Sequence, residues 1–364
     1  MASFEVKVCK ITVLPHPNAD RLELAQAGAY LSAIPKGAYK TGDLAVYIPE
    51  QAILPETLIE ELGLVGRLAG RKCNRVKAIL LQKVLSQGII YPNKGNWEEG
   101  EVLNEVLGIT KYSPPIPREL DGEVMTTPLS LTVNYDIENF KRYPELLIEG
   151  EEVQITEKIH GTFSMFSAIP TAWQNDPEKQ IEGLIDGRFS VSSKGLGSKG
   201  LTFIDCESNK ENVYMKAAKT LKLFEFAGAL ADRYNTVVVV LGEIFGQGIQ
   251  DLGYGFTKAQ FRLFDIAIGE ERIDKRYLDH QTLTELCSEF DIQRVPLLYV
   301  GEFSKEVLAL YTNGKEVVSG SEAHIREGCV VKPLKERYTI EFGRVFLKSV
   351  SDDYLLRKNG TEHN

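Results

Sequence analysis

A lysine amine is a weak nucleophile at neutral pH, because its ordinary pKa is ~10.4. Lys158 stands where that could change. It lies in Thr156-Glu157-Lys158-Ile159-His160-Gly161, after the apolar β-formers Val153 and Ile155 and before a glycine that lets the chain turn. Burial or neighbouring positive charge would lower its pKa, and the amine could then attack phosphorus or a carbonyl carbon. Lys-x-x-Gly by itself describes many surface turns. The segments downstream give it weight: Ser192-Ser193-Lys194-Gly195, Gly242-Glu243, Phe261-Arg262-Leu263-Phe264-Asp265, Glu327-Gly328-Cys329-Val330-Val331-Lys332 and Phe346-Leu347-Lys348.

These residues need elements to hold them. Gly187–Ser193 reads as a strand. Glu207–Tyr234 has helical spacing, with Val213, Ala217, Leu221, Phe224 and Ala231 along one side. Thr236–Leu241 reads as a buried strand with Glu243 at its mouth, well placed for metal or ribose. Gln260–Ile268 alternates as a strand; Phe261 or Phe264 could be plain core or, facing a pocket, could stack on a purine. Glu327 precedes a short buried strand, and Phe342–Ser351 is a strand carrying Arg344 and Lys348. Gly195-Leu196-Gly197-Ser198-Lys199-Gly200 matches the dinucleotide pattern Gly-x-Gly-x-x-Gly, but β-rich Leu201–Ile204 follows where that fingerprint opens a helix. A flexible loop is expected there, from which Ser193 and Lys194 could still face phosphate.

The first hundred residues read differently. Phe4–Val13, Leu44–Ile48, Asn74–Leu81 and Gly88–Tyr91 are short strands separated by glycine, proline and the turn residues of Pro15-His16-Pro17-Asn18. That spacing suggests a small β-barrel. Arg67, Arg71, Lys72, Arg75, Lys77 and Lys83 make its middle basic, with no aromatic among them. Such a stretch is either a solvated charged face or a groove that tracks a phosphate backbone rather than stacking bases. Ser113-Pro114-Pro115-Ile116-Pro117 can continue neither a helix nor a central strand, so the boundary falls there. The division expected is 1–110 for the barrel, 111–135 for a linker and 136–364 for the second domain, with a short polar helix and turn over Asn134–Leu147.

Composition narrows the class. The 364 residues are 43% hydrophobic and 26% charged, ordinary for a two-domain globular protein. The net charge of −9 disfavours non-specific nucleic-acid binding, although it leaves room for a local basic groove. Five scattered cysteines without a Cys-x-x-Cys argue for reduced thiols in the cytoplasm, against a disulfide framework or zinc. Neither a signal-peptide core nor a run of ~20 apolar residues is present in the sequence.

The order of segments from about residue 137 onward resembles the covalent nucleotidyltransferase superfamily of ATP-dependent ligases and capping enzymes. His16-Pro17-Asn18-Ala19-Asp20-Arg21-Leu22, with Gly42-Asp43, Tyr47-Ile48-Pro49 and Ser86-Gln87-Gly88, resembles the opening of OB domains that bind tRNA and other polynucleotides. An OB domain placed first looks most like the fifth RNA-ligase family, since DNA ligases and capping enzymes carry theirs afterwards. The fold implied is α+β: an N-terminal OB-like barrel, then a nucleotidyltransferase domain of antiparallel sheets flanked by helices.

The resemblance also implies roles. Lys158 would attack the α-phosphorus of ATP and become lysyl-AMP. Glu157 would read adenine, largely through its backbone, next to Gly161. Lys194 would contact the nucleotide or a 5′-phosphate. Glu243 and Glu327 would organise Mg²⁺ or Mn²⁺ or its waters. Phe264, with Phe261 second, would stack on adenine, and Lys332 and Lys348 would neutralise phosphate. Two departures stand out. His160 replaces an aspartate common among relatives, as it does in one branch of the OB-first ligases. Phe346-Leu347-Lys348 replaces Lys-x-Lys, leaving one phosphate contact missing or supplied by Arg344. The implied activity is sealing of 3′-OH/5′-phosphate nicks in duplex RNA or an RNA/DNA hybrid by a monomer. The competing readings are a DNA-preferring ligase, a nucleotidyltransferase that stops at AMP transfer, and an RNA-binding protein whose second domain is inactive.

Overall fold

The computed structural model describes residues 4–357 and Gly360, and its chain divides into two compact units. The first holds the described residues up to Ser113 together with Ile137–Leu146 and the short helix Asp352–Leu356. Two three-stranded antiparallel sheets form it. In one, Leu44–Ile48 lies between Lys7–Lys10 and Ile89–Pro92; in the other, Leu22–Ala27 lies between Thr12–Pro15 and Tyr30–Pro35. The expected single strand over Phe4–Val13 is broken at Ile11, which is buried with Ala25, Ala27 and Ile34 instead of continuing the first sheet. Val6, Val8, Val46, Ile48, Leu54 and Leu103 make the other core cluster. Of the basic run, Arg67, Arg71, Lys72, Lys77 and Lys83 are exposed, while Arg75 lies over the Tyr112 ring, 4.2 Å from its centroid.

The second unit, residues 114–136 and 147–351, is built on two antiparallel sheets. One runs Leu347–Val350, Gly328–Pro333, Glu152–Lys158, Leu297–Glu302. The other runs Phe189–Ser193, Thr162–Ala168, Val238–Phe245, Gln260–Ile268, Arg276–Tyr277. Alternation along Val238–Phe245 sends Val238, Val240 and Ile244 into a core shared with helices Val213–Thr220, Leu223–Tyr234 and His280–Phe290. The opposite face carries Glu243.

Several expectations change. The helical stretch 207–234 is two helices, broken where Lys222 takes φ +55°. Asn134–Leu147 contains no helix, only turns and the two-residue strand Glu138–Asn139. The glycine-rich run is not a loop: Lys194–Ser198 is one helical turn, capped by the Ser193 hydroxyl accepting from the Leu196 N–H. The strand before it pairs antiparallel with Thr162–Ala168, so this is no parallel βαβ unit and the dinucleotide reading stays rejected. Glu243 lies inside its strand, which continues to Phe245, and not at its mouth. Among the described residues no helix is long and apolar enough to cross a membrane.

Candidate active site

Strand parity decides which face each lysine takes. Lys158 pairs with Gly328, Gln154 with Lys332, and Lys348 with Val330, so Lys158, Lys332 and Lys348 share one face of their sheet. Glu157, one residue from the lysine, turns to the other face. There its carboxylate is 1% exposed; Oε2 accepts from the Val317 N–H at 2.9 Å and lies 3.8 Å from Arg326 Nε. Burial pushes this carboxyl up to about 7.

The Lys158 ammonium lies 2.5 Å from Glu327 Oε1. Burial alone would raise Glu327, but Lys158 and then His160 pull it down to about 2. Glu243 behaves in the opposite way. Burial and the negative charge of Glu327 raise it to about 7, against the lowering field of Lys158. One carboxylate of the site is thus held ionised and its neighbour shares a proton near neutrality. Gly161 makes this convergence possible: a Cβ there would sit 2.3 Å from the Ile244 carbonyl oxygen and 2.9 Å from Glu243 Cγ.

Three residues of the loop following Val238–Phe245 close on the turn after Lys158. The His160 N–H donates to the Tyr254 hydroxyl (2.7 Å), Gln250 Nε2 donates to the Gly161 carbonyl (3.0 Å), and His160 Nε2 meets Asp251 Oδ1 at 2.7 Å. The other ring nitrogen, Nδ1, lies 3.7 Å from Glu327 Oε2. That oxygen is buried and has no hydrogen-bond partner.

A second assembly gathers around Asp265. The strand Gln260–Ile268 carries a bulge: Leu241 faces Asp265 and Gly242 faces Leu263, leaving Phe264 unpaired. The extra residue reverses the parity, so that Asp265 leaves the core face on which Phe261 and Leu263 lie. Asp265 meets Lys332 Nζ at 3.1 Å and Arg344 at 2.8 Å, and accepts from the Tyr135 hydroxyl at 2.5 Å. Arg344 also makes a two-pronged pair with Glu336, 2.6 Å on each side, and lies 3.7 Å over the Tyr277 ring. Phe264 packs at 5.1 Å from Tyr135 and 5.5 Å from Phe163, in a partly exposed aromatic group.

The structure therefore brings Lys158, His160, Gly161, Glu243 and Glu327 together, and groups Phe264, Lys332 and Arg344 around Asp265 and Tyr135. Phe261 is buried against Phe166 in the helix-side core. Lys194 Nζ lies 3.1 Å from Asp136 Oδ1. Lys348 is half-buried on the lysine face. Sequence reasoning missed Asp251, Tyr254, Tyr135 and Phe163, and quoted Asp265 without giving it a role. The only sign of the first two was the unusual run Gly246-Gln247-Gly248-Ile249-Gln250-Asp251-Leu252-Gly253-Tyr254-Gly255 after the buried strand.

No group of three or more His, Cys, Asp or Glu among the described residues forms a ready-made metal cage. The donor set suits a different occupant. Two carboxylates, one with a buried oxygen lacking a partner, fit a hard divalent ion that keeps waters and takes phosphate oxygens from a substrate.

Comparison with known proteins agrees with this geometry. Residues 151–350 match the family model for RNA ligase, and residues 5–93 match a model for an OB-fold domain. No curated protein matches the chain. Among solved structures, Naegleria gruberi RNA ligase with PPi is 21% identical, covers 97% of this chain and 98% of its own, and superimposes with a TM-score of 0.77. A lysine-to-alanine mutant of that ligase with ATP and Mn gives 21% identity, 96% and 98% coverage and a TM-score of 0.76. An apo mutant gives 22%, 98% and 98%, and 0.76. The fold is accordingly α+β with an N-terminal OB domain, and with more than half its length matched by the family model, the chain belongs to the RNA ligase family.

Proposed function

We propose that this protein is an ATP-dependent RNA ligase that seals 3′-OH/5′-phosphate nicks through a lysyl-AMP intermediate on Lys158. The observation that carries the reading is the half-buried Lys158 amine, bound to an ionised Glu327 whose second oxygen is unfilled. In the resting site the ammonium is held by Glu327 and cannot attack. When the triphosphate enters, the ammonium leaves Glu327 and passes a proton to solvent water, and the amine lone pair then forms the bond to the α-phosphorus while the bond to pyrophosphate breaks, pyrophosphate leaving with that electron pair. Glu243 and Glu327 would hold a divalent ion, Mg²⁺ or Mn²⁺, which when bound supplies positive charge to the phosphates.

The remaining residues position and neutralise. Phe264, on its bulge beside Phe163 and Tyr135, offers the partly exposed ring for the adenine stack; Phe261 is buried in the core and is the weaker choice. The Glu157 side chain faces away from Lys158, which supports adenine recognition through its backbone. Lys348 and Lys332 add positive charge on the lysine face, Lys332 with one of its three donors on Asp265. Arg344 is committed to Asp265 and Glu336, so its phosphate role requires breaking that pairing. Lys194 serves the 5′-phosphate strand. AMP passes from Lys158 to the 5′-phosphate, and the 3′-OH then displaces it.

The test is incubation with α-labelled ATP and Mg²⁺ or Mn²⁺, then a denaturing gel. Label should remain on the wild type, be lost in Lys158→Ala and not be replaced by label from GTP. Nicked RNA, hybrid and DNA duplexes then rank the substrates. Absence of label with either metal would overturn the ligase reading in favour of a catalytically inactive RNA-binding protein.

A further inference from the structure

Two arginines of the second unit show what such a side chain ordinarily holds. Arg337 pairs with Glu151 and Arg344 with Glu336. Each uses the same edge of its guanidinium, Nε and Nη2, two-pronged against the carboxylate at 2.6–2.9 Å. Arg262 is placed differently. It lies directly opposite Glu243 on the neighbouring strand, on the face away from the core that holds Phe261 and Leu263. Opposite charges facing each other across two strands ordinarily attract and pair. Here the guanidinium turns instead over Phe245, 5.5 Å from the ring centroid, and Nη1 donates to the Phe261 carbonyl at 3.0 Å. That is the side chain's one hydrogen bond among the described residues, and no carboxylate among them pairs with it. Nε and Nη2 reach solvent.

A partly buried cation without an anion is unfavourable, and burial alone holds the Arg262 pKa below the usual arginine range. The surrounding chain has the same bias. From Leu252 to Phe264 it carries Lys258 and Arg262 and no acid, in a protein of net charge −9. Lys258 is exposed and has no carboxylate partner among the described residues. Nor does this charge serve the carboxylate cluster: the charges acting on Glu243 are those of Lys158, Glu327 and His160, not that of the arginine facing it. We propose that Arg262 anchors the polynucleotide: its Nε–Nη2 edge takes a backbone phosphate of the nicked RNA, beside the cluster at which ATP reacts, and Lys258 continues the track. The identity of the polyanion rests on the ligase reading. A phosphate offers two oxygens to the guanidinium edge as Glu151 and Glu336 do, which is the geometry in which arginine excels over lysine. The Phe245 ring and the Phe261 carbonyl hold the guanidinium in advance, so little freedom is lost when the strand arrives.

The experiment reads binding and chemistry separately. Binding is followed by fluorescence anisotropy of a labelled, 5′-phosphorylated nicked RNA duplex, without ATP or metal, over a range of salt. Arg262→Gln should weaken it about 10- to 100-fold, the usual worth of a hydrogen bond to a charged group. It should also reduce the slope of log K against log salt by about 0.7–0.9, one phosphate contact. Arg262→Lys keeps the charge without the fork, and should restore the slope but only part of the affinity. Chemistry is followed as single-turnover labelling of the protein by α-labelled ATP, where both variants should stay within a factor of about three of wild type. Unchanged affinity and slope in Arg262→Gln overturn the proposal. So does labelling slowed beyond that limit, which assigns the guanidinium to the phosphates of ATP. If Arg262→Gln does not fold, Arg262→Lys decides: wild-type affinity overturns the proposal, and weakened affinity with normal labelling supports it. If the wild type takes no label, the ligase reading fails, while the binding curves still judge whether Arg262 holds an RNA phosphate.

Discussion

Two lysine–carboxylate pairs lie on the same face of one sheet, and they do different things. Lys332 is 3.1 Å from Asp265, and Lys158 is 2.5 Å from Glu327. Asp265 is saturated: one oxygen takes Lys332, and the other takes Arg344 and the Tyr135 hydroxyl. Glu327 is half used, with Lys158 on one oxygen and no hydrogen-bond partner on the other. A buried charge whose acceptors are all filled resists rearrangement, because any change leaves an ion unpaired. A carboxylate with an open oxygen, next to a lysine whose side chain is 25% exposed, can exchange partners when a charged substrate enters. The contrast separates a brace from a reaction centre that uses the same residue types.

The comparison can be broken at its rigid end first. Asp265→Ala takes the fully buried carboxylate away from Lys332 and Arg344 and leaves both to Glu336, and should cost roughly 3–5 kcal/mol of stability in denaturant melts. A loss under about 1 kcal/mol would show that the network is no brace. At the reactive end, Glu327→Ala should leave the folded protein intact but slow lysine adenylylation by about 10²- to 10³-fold, the usual cost of one preorganised electrostatic contact. A rate within a factor of about three of wild type would remove Glu327 from the chemistry.

A pH experiment sharpens the contrast within the site. Glu327 is held at about 2, below its ordinary 4.5, so the stability it contributes is complete above 4.5 and is lost as pH falls toward 2. Glu243 is raised from 4.5 to about 7, so the native state holds its proton longer than the unfolded chain does. Its carboxylate therefore costs stability that grows from pH 4.5 and is fully present above 7. In metal-free buffer, Glu243→Gln should raise Tm at pH 8 and leave it unchanged at pH 4. Equal melting shifts at both pH values would contradict the raised pKa.

The smallest effect is expected in the first unit. Replacing Arg67, Arg71 and Lys72 by alanine should lower RNA affinity and reduce the slope of log K against log salt by about 0.7–0.9 per lost phosphate contact. An unchanged slope would mark these side chains as an ordinary solvated surface.

Much of this was legible along the chain. Parity within Glu152–Lys158 and Gly328–Pro333 is a local property, so the shared face of Lys158 and Lys332 follows once their strands are paired. The order of Lys158, Glu243, Phe264, Glu327 and Lys348 sufficed for the family, because each motif is a short run of residues. The breaks at Ile11 and Lys222 were not legible: apolar periodicity persists across both, while the backbone changes direction. Nor was the bulge at Phe264, since alternation in sequence looks the same whether or not one residue is skipped in pairing.

What the sequence by itself determined was the chemistry available: a lysine three residues before a glycine, two acidic residues beside apolar β-forming runs, and a histidine where relatives carry aspartate. Which of these groups meet was decided by the tertiary structure alone. Asp251 reaches His160, and Asp265 gathers Lys332, Arg344 and Tyr135, across separations of 67 to 130 residues. Side-chain charge and strand parity are written residue by residue. The partner that holds a charge ionised, or leaves one oxygen open, comes from whichever distant segment the packing of two sheets brings beside it.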